Sequence, residues 1–141
     1  NLVERTYENS FDCPWLNGLR RIDDVLSGYE ATGAHAPERW LFVRRDGEDA
    51  GCLLLADHPA ARQWELIYMG VVPEVRGRGL GREIVRHAQW RTGEAGRERL
   101  VAAVDGANAP ALAMYERAGF VRWDERRAWI KILSADHFPT D

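Results

Sequence analysis

The amino-acid sequence predicts a mixed α/β domain in which antiparallel hairpins come first and a βαβ-like unit follows. Three observations carry that reading. Short apolar runs between Trp40 and Val72 are separated by Asp46-Gly47 and by His58-Pro59, which is hairpin punctuation. Leu80, Ile84, Val85 and Ala88 recur at helical spacing directly after a glycine-rich turn. A short apolar run, Leu100 to Val104, follows that helix, so strand, helix and strand succeed one another. The chain has 141 residues, 45% of them apolar and 29% charged, enough for one core and too few for two, so residues 1–141 are read as one domain.

In chain order, Leu2, Val3 and Tyr7 have weak helical spacing, and Cys13-Pro14 and Asn17-Gly18 then interrupt the chain. Leu19, Ile22, Val25, Leu26 and Tyr29 recur at three- and four-residue steps, which predicts an amphipathic helix. Gly33 to Pro37 reads as a loop. Trp40 to Val43 reads as a strand, Asp46-Gly47 as a turn, and Gly51 to Ala56 as the hairpin partner. A third strand runs from Trp64 to Val72 and stops at Pro73. The turn Arg76 to Gly81 opens a helix reaching Thr92, ended by Gly93 and Gly96. After the strand Leu100 to Val104, Asn108 caps a helix with Pro110 in its first turn, which Gly119 stops beyond Ala118. Phe120 to Trp123 and Ala128 to Ile132 are expected to close the sheet as two strands around a polar tip, Asp124 to Arg127.

Composition narrows the function classes. Lys and Arg number 19 against 22 Asp and Glu, a net charge of −3, which argues against a general nucleic-acid binder. Lys131 is the one lysine; GC-rich coding accounts for the arginine bias as well as a need for guanidinium–phosphate pairing does. Cys13 and Cys52 form no CxxC, and the four histidines have no metal-ligand spacing, so neither a disulfide framework nor a metal site is expected. No apolar run reaches bilayer length and no signal peptide opens the chain, so a cytoplasmic protein without a membrane partner is expected. Residue 1 is Asn and not Met, which points to a chain trimmed, processed or cut from a longer polypeptide.

The informative segment is Val71-Val72-Pro73-Glu74-Val75-Arg76-Gly77-Arg78-Gly79-Leu80-Gly81. An apolar strand runs into three alternating glycines and then into a helix start. Glycine lets backbone N–H groups turn inward and lets a ligand approach with no Cβ in the way. The helix start adds unpaired donors and a partial positive charge. Together these make a pyrophosphate cradle, to which Arg76, Arg78 and Arg82 can add guanidinium contacts. No Lys-Ser/Thr pair follows, which removes the NTPase P-loop. Gly77, Gly79 and Gly81 give GxGxG where the dinucleotide fingerprint needs GxGxxG.

An arginine-led R-G-x-G-x-G loop after a V-x-P strand end is instead similar to motif A of the GNAT N-acetyltransferase superfamily. A second segment agrees: Asn108-Ala109-Pro110-Ala111-Leu112-Ala113-Met114-Tyr115 with Gly119-Phe120 resembles that family's N-x-x-A-x-x-x-Y-x-x-x-G-F block. The resemblance covers Trp40 to Ile132; before Trp40 the family's opening strand has no counterpart.

The resemblance implies a GNAT fold: a mixed, mostly antiparallel sheet flanked by helices, with strands Trp64–Val72 and Leu100–Val104 splayed apart. Acetyl-coenzyme A would be the co-substrate, with no metal. Its pyrophosphate would lie on Arg76, Gly77, Arg78, Gly79, Leu80, Gly81 and Arg82. Its pantetheine arm would pair with backbone groups of Val71 and Val72 as an extra strand. A backbone N–H near Val71 would polarise the thioester carbonyl, and Asn108 and Tyr115 would approach from the other side. Tyr115, whose phenol is a donor at neutral pH, would hydrogen-bond or protonate the leaving sulfur; the structural alternative is a core aromatic. Glu65 is the candidate base, because members of the family often place a working carboxylate in this strand. Alternation is expected to put it on one side with Ile67 and Met69; the alternative is an edge carboxylate paired with an arginine. Asp12, Glu8 and a water chain stay open for the same role, and Ala103 closes a further route. Cys13 reads as a loop thiol and not a nucleophile, and Trp15 as a packing or substrate-contacting residue.

The expected activity is acetyl transfer to a primary amine of a small molecule or peptide. The rival is a non-catalytic acyl-coenzyme A-binding module, one half of a tandem acetyltransferase of the mycothiol-synthase kind. A homodimer or a tandem-domain partner fits either.

Overall fold

The structure is a computed structural model that describes residues 1–131 and Leu133. Helix α1 (Leu2–Tyr7) is capped by Asn1, whose side-chain oxygen accepts from the Val3 N–H at 2.9 Å. A 3-10 turn, Pro14–Leu16, leads to α2 (Ile22–Glu30). That helix starts at Ile22 and not Leu19, which stays outside it and 38% exposed.

Four strands follow: β1 (Trp40–Arg45), β2 (Glu48–His58), β3 (Gln63–Val71) and β4 (Arg99–Ala102). They lie in the order β1-β2-β3-β4. The first two pairings are antiparallel and β3–β4 is parallel. Helix α3 (Leu80–Glu94) makes the crossover between the parallel strands, and α4 (Ala109–Arg117) follows β4. This is the mixed α/β class read from the pattern, with strand ends displaced by at most three residues.

Strand β2 is buried at every position from Ala50 to Asp57 because both of its faces are covered. Leu53 and Leu55 join Trp64, Leu66, Ile84, Val85 and Ala88 in a core beneath α3. Cys52 and Leu54 join Val3 and Tyr68 in a second core beneath α1 and α2. Full burial of Leu53, Leu55 or Val85 contributes about 1.5–3 kcal/mol each.

Two irregularities in β3 shape everything that follows. Leu54 pairs with Tyr68 and Leu55 with Leu66, so Ile67 is an extra, bulged residue. Leu66 packs toward α3, Ile67 and Tyr68 both pack toward α1 and α2, and Met69 returns to the α3 side. The bulge overturns half of the expected alternation: Glu65 shares its side with Ile67, and Met69 faces the other way. The second irregularity is the end of parallel pairing. Strand β4 accompanies β3 only from Gln63 to Leu66, and beyond that point the strands part as the resemblance implied.

Helix α1 lies directly on β3 because Gly70 has no side chain there; a Cβ would come within 2.5 Å of Thr6. The Thr6 hydroxyl is shared with the Tyr68 hydroxyl at 2.8 Å and donates to the Val3 carbonyl at 2.7 Å.

The two expected closing strands are corrected. Residues 120–131 have no regular secondary structure, and Ile132 lies outside the described residues. Val121, Trp123 and Trp129 are 87%, 76% and 89% exposed, so no ladder or core face holds this segment as a strand.

Candidate active site

Where β3 and β4 part, a cleft of about 670 Å³ opens. One wall is β3 from Leu66 to Val71. The other is Val104, Asn108, Ala111, Met114 and Tyr115, from the loop after β4 and from α4. Gly77, Gly79, Leu80, Gly81 and Arg82 close one end, and Thr6 with Asn9 to Asp12 complete the lining.

The glycine end has the features of an anion cradle. Gly77 and Gly79 sit at φ +75° and +81°, and a Cβ on either would point into open space. Gly79 caps α3 without a side-chain hydrogen bond, and the first intrahelical bond runs from the Glu83 N–H to the Gly79 carbonyl at 3.2 Å. The first-turn N–H groups of Leu80, Gly81 and Arg82 therefore have no intrahelical acceptor. Gly81 also serves packing, since a Cβ there would stand 3.2 Å from the Met114 Sδ. Arg82 lines this end and Arg78 is exposed beside it.

Arg76 differs from expectation. Its Nε donates to the Val71 carbonyl at 2.9 Å and its Nη2 to the Thr6 carbonyl at 2.9 Å. Its Nη1 donates to the carbonyls of Glu8 and Asn9 at 2.6 and 3.2 Å. The guanidinium thus fastens the end of α1 to the end of β3, and Arg76 also lines the cleft. Val72 differs too: its N–H donates to the Ala50 carbonyl at 2.9 Å and its side chain is buried. Alternation then turns the Val71 N–H toward the gap.

On the facing wall, the Asn108 side-chain oxygen accepts from the Ala111 N–H at 3.3 Å and starts α4. Tyr115 is buried, its ring edge-on to Phe120 with centroids 5.1 Å apart. Burial, reinforced by the Asp12 carboxylate, pushes the Tyr115 phenol up to about 12.

The carboxylates divide. Glu65 lies outside the cleft lining, with its Oε2 2.7 Å from the His58 Nε2. Asp12 lines the cleft. The next residue, Cys13, adopts a left-handed φ of 44°, and its N–H donates to the Asp105 carboxylate at 2.9 Å. The other Asp105 oxygen accepts from the Ala107 N–H at 2.9 Å, so the loop after α1 is tied to the loop after β4. Burial, then the Asp105 charge, raises the Asp12 carboxyl above its ordinary value. Burial, then Asp12 and Asp105, also raises the Cys13 thiol, which keeps it protonated. Local spacing carries no signal that brings residues 12, 105 and 115 together; only the topology does.

The profile of the Acetyltransferase (GNAT) family matches residues 4–120. A mycothiol acetyltransferase of Paenarthrobacter aurescens (strain TC1) is 38% identical over 120 residues, which cover 79% of this chain and 35% of that protein. The chain spans less than half the length of the curated relatives it matches. Among solved structures, the ribosomal-protein-S18-alanine N-acetyltransferase of Escherichia coli superposes with a TM-score of 0.63 at 23% identity, over 79% of this chain and 68% of that one. A GNAT family acetyltransferase of Elizabethkingia anophelis with acetyl-CoA bound gives 0.61 at 16% identity, over 72% and 62%. The two structures share the fold; the profile, matched over most of the chain and on the elements that build the cleft, shows that this chain belongs to the GNAT acetyltransferase family.

Proposed function

We propose that the chain is an acetyl-coenzyme A-dependent N-acetyltransferase domain that transfers directly to a primary amine of a small molecule or peptide. One observation carries this reading: a cleft between parting strands that has an uncapped helix start at one end and a buried phenol on its wall. The N–H groups of Gly79 to Arg82 would hold the pyrophosphate, with Arg78 and Arg82 adding charge. The Val71 N–H would hold and polarise the thioester carbonyl and stabilise the oxyanion that forms as the amine attacks. Tyr115 keeps its proton through the neutral range and donates a hydrogen bond to the departing sulfur.

The acceptor is proposed no more finely than its chemistry. The relative's name supplies one, but the match covers only 35% of that relative. A cytoplasmic location is part of the same proposal, because acetyl-coenzyme A is its donor; no helix among the described residues is long and apolar enough to cross a membrane.

The test combines acetyl-coenzyme A with spermidine, tyramine, glucosamine and alanine amide, following thiol release and the acetyl amide together. Equal, enzyme-dependent yields of both are expected. The short span against its relatives favours one second reading, a coenzyme-binding half of a tandem protein. Calorimetric binding of coenzyme A with no transfer to any amine would establish that reading instead.

A further inference from the structure

Direct acetyl transfer leaves one requirement without a residue. An acceptor that arrives as an ammonium must lose a proton before its nitrogen has a lone pair to attack with. Tyr115 is a donor at neutral pH and cannot take it. Among the described residues that line the cleft, Asp12 is the only acidic side chain, and no histidine, cysteine or lysine lines it.

We infer that Asp12 is the general base of the reaction, taking the acceptor's first proton from the loop that lines the cleft. The inference rests on the proposed acetyl transfer. The balance is complete with the groups present. The ammonium gives one proton to the Asp12 carboxylate, which passes it to water. The neutral nitrogen attacks the thioester carbon, a C–N bond forms, and the C–S bond breaks with its electron pair going to sulfur. The nitrogen's second surplus proton ends on that sulfur, so an amide and the coenzyme thiol leave.

Three further observations place Asp12 for this. The loop is held on both sides of the residue: the Asp12 N–H donates to the Ser10 Oγ at 3.1 Å, and the Cys13 N–H to Asp105 at 2.9 Å. The Asp12 carboxylate lines the same cleft as Tyr115 and Tyr68, and its charge adds to burial in raising both phenols. The other groups facing Asp12 are Asp105 and the Cys13 thiol, with Arg20 opposing them. Burial and the Asp105 charge lift the Asp12 carboxyl, while the Asp105 backbone amide and Arg20 lower it. The net rise is in the direction that improves a carboxylate as a proton acceptor. Glu65, the carboxylate favoured by strand position, lies outside the lining and against His58.

The test is the pH profile of kcat/KM for Asp12→Asn, Asp12→Glu and Glu65→Gln, with the best acceptor among spermidine, tyramine, glucosamine and alanine amide. In the wild type, two ionisations shape the acid limb, the amine's and that of Asp12. Asp12→Asn should lose about 10²-fold in kcat/KM and keep only the amine's ionisation. Its coenzyme A affinity and melting temperature should match the wild type. Asp12→Glu should keep both ionisations, and it carries the test if the Asn variant is poorly folded. A wild-type acid limb in Asp12→Asn, or loss of the second ionisation in Glu65→Gln instead, overturns the assignment and leaves acetyl transfer standing. A wild-type chain that acetylates none of the four amines overturns acetyl transfer, and the role of Asp12 with it.

Discussion

Tyr115 and Cys13 are both polar groups raised by burial near Asp12, yet they lead to opposite expectations. Tyr115→Phe keeps the ring against Phe120 and removes the only donor. We expect kcat to fall about 10²-fold with KM for acetyl-coenzyme A nearly unchanged, because the ground-state thioester needs no proton. Steady-state kinetics decide it, and an unaltered kcat would make Tyr115 a packing residue. The Cys13 thiol is protonated and contributes no side chain to the cleft lining, while its structural bond to Asp105 comes from the backbone. Cys13→Ala should therefore keep turnover, and intact-mass measurement during turnover should find no acetyl-enzyme. At this scale the sequence was legible where a motif names a residue type and opaque where geometry chooses a direction. Asn108 and Tyr115 are carried by their block. The separation of Met69 from Glu65 is not, because one bulged residue, Ile67, reverses the alternation after it and no residue type announces a bulge there.

At the scale of elements, the turn from β3 into α3 divides its work between two kinds of group. Gly79 holds a φ of +81° beside open space, so a side chain there meets strain first and the ligand's space second. Gly79→Val should weaken coenzyme A by at least about tenfold, or 1.4 kcal/mol, in calorimetry, and it should cost stability as well because the left-handed conformation disfavours a β-branched residue. Arg76, read from the pattern as a phosphate ligand, serves as a clasp for four carbonyls. Arg76→Ala should loosen α1 and destabilise the fold by about 1–3 kcal/mol in denaturant melts. Arg76→Lys should recover little, since an ammonium lacks the planar fork that serves three directions at once. The pattern R-G-x-G-x-G identified the element correctly and could not report which way its first side chain turns.

For the whole molecule, the pattern conveyed the order of elements, the crossover and the parting strands, because each rests on periodicity or punctuation. It failed beyond Gly119, where apolar residues alternate with charges but find no partner edge. Long-range charge pairing was equally invisible. Asp57 at the end of β2 receives the Arg97 Nε and Nη2 at 2.8 and 2.7 Å, pinning the segment after α3 to the sheet. That guanidinium holds the Asp57 carboxyl below its ordinary value. A carboxyl depressed in the folded state stabilises fully above its unfolded pKa of about 4 and loses that contribution as the pH falls through the folded value. Melting temperatures recorded from pH 7 down to pH 2.5 should fall for the wild type, whereas Asp57→Asn should begin lower and decline less. The Arg76 clasp carries a different lesson, about substitution. It grips α1 and the turn after it by the carbonyls of Thr6, Glu8 and Asn9, groups that every residue type supplies alike. Substitution in most of that segment therefore leaves the clasp's acceptors in place, so the side chains that α1 and its turn present to the cleft can change without unseating them.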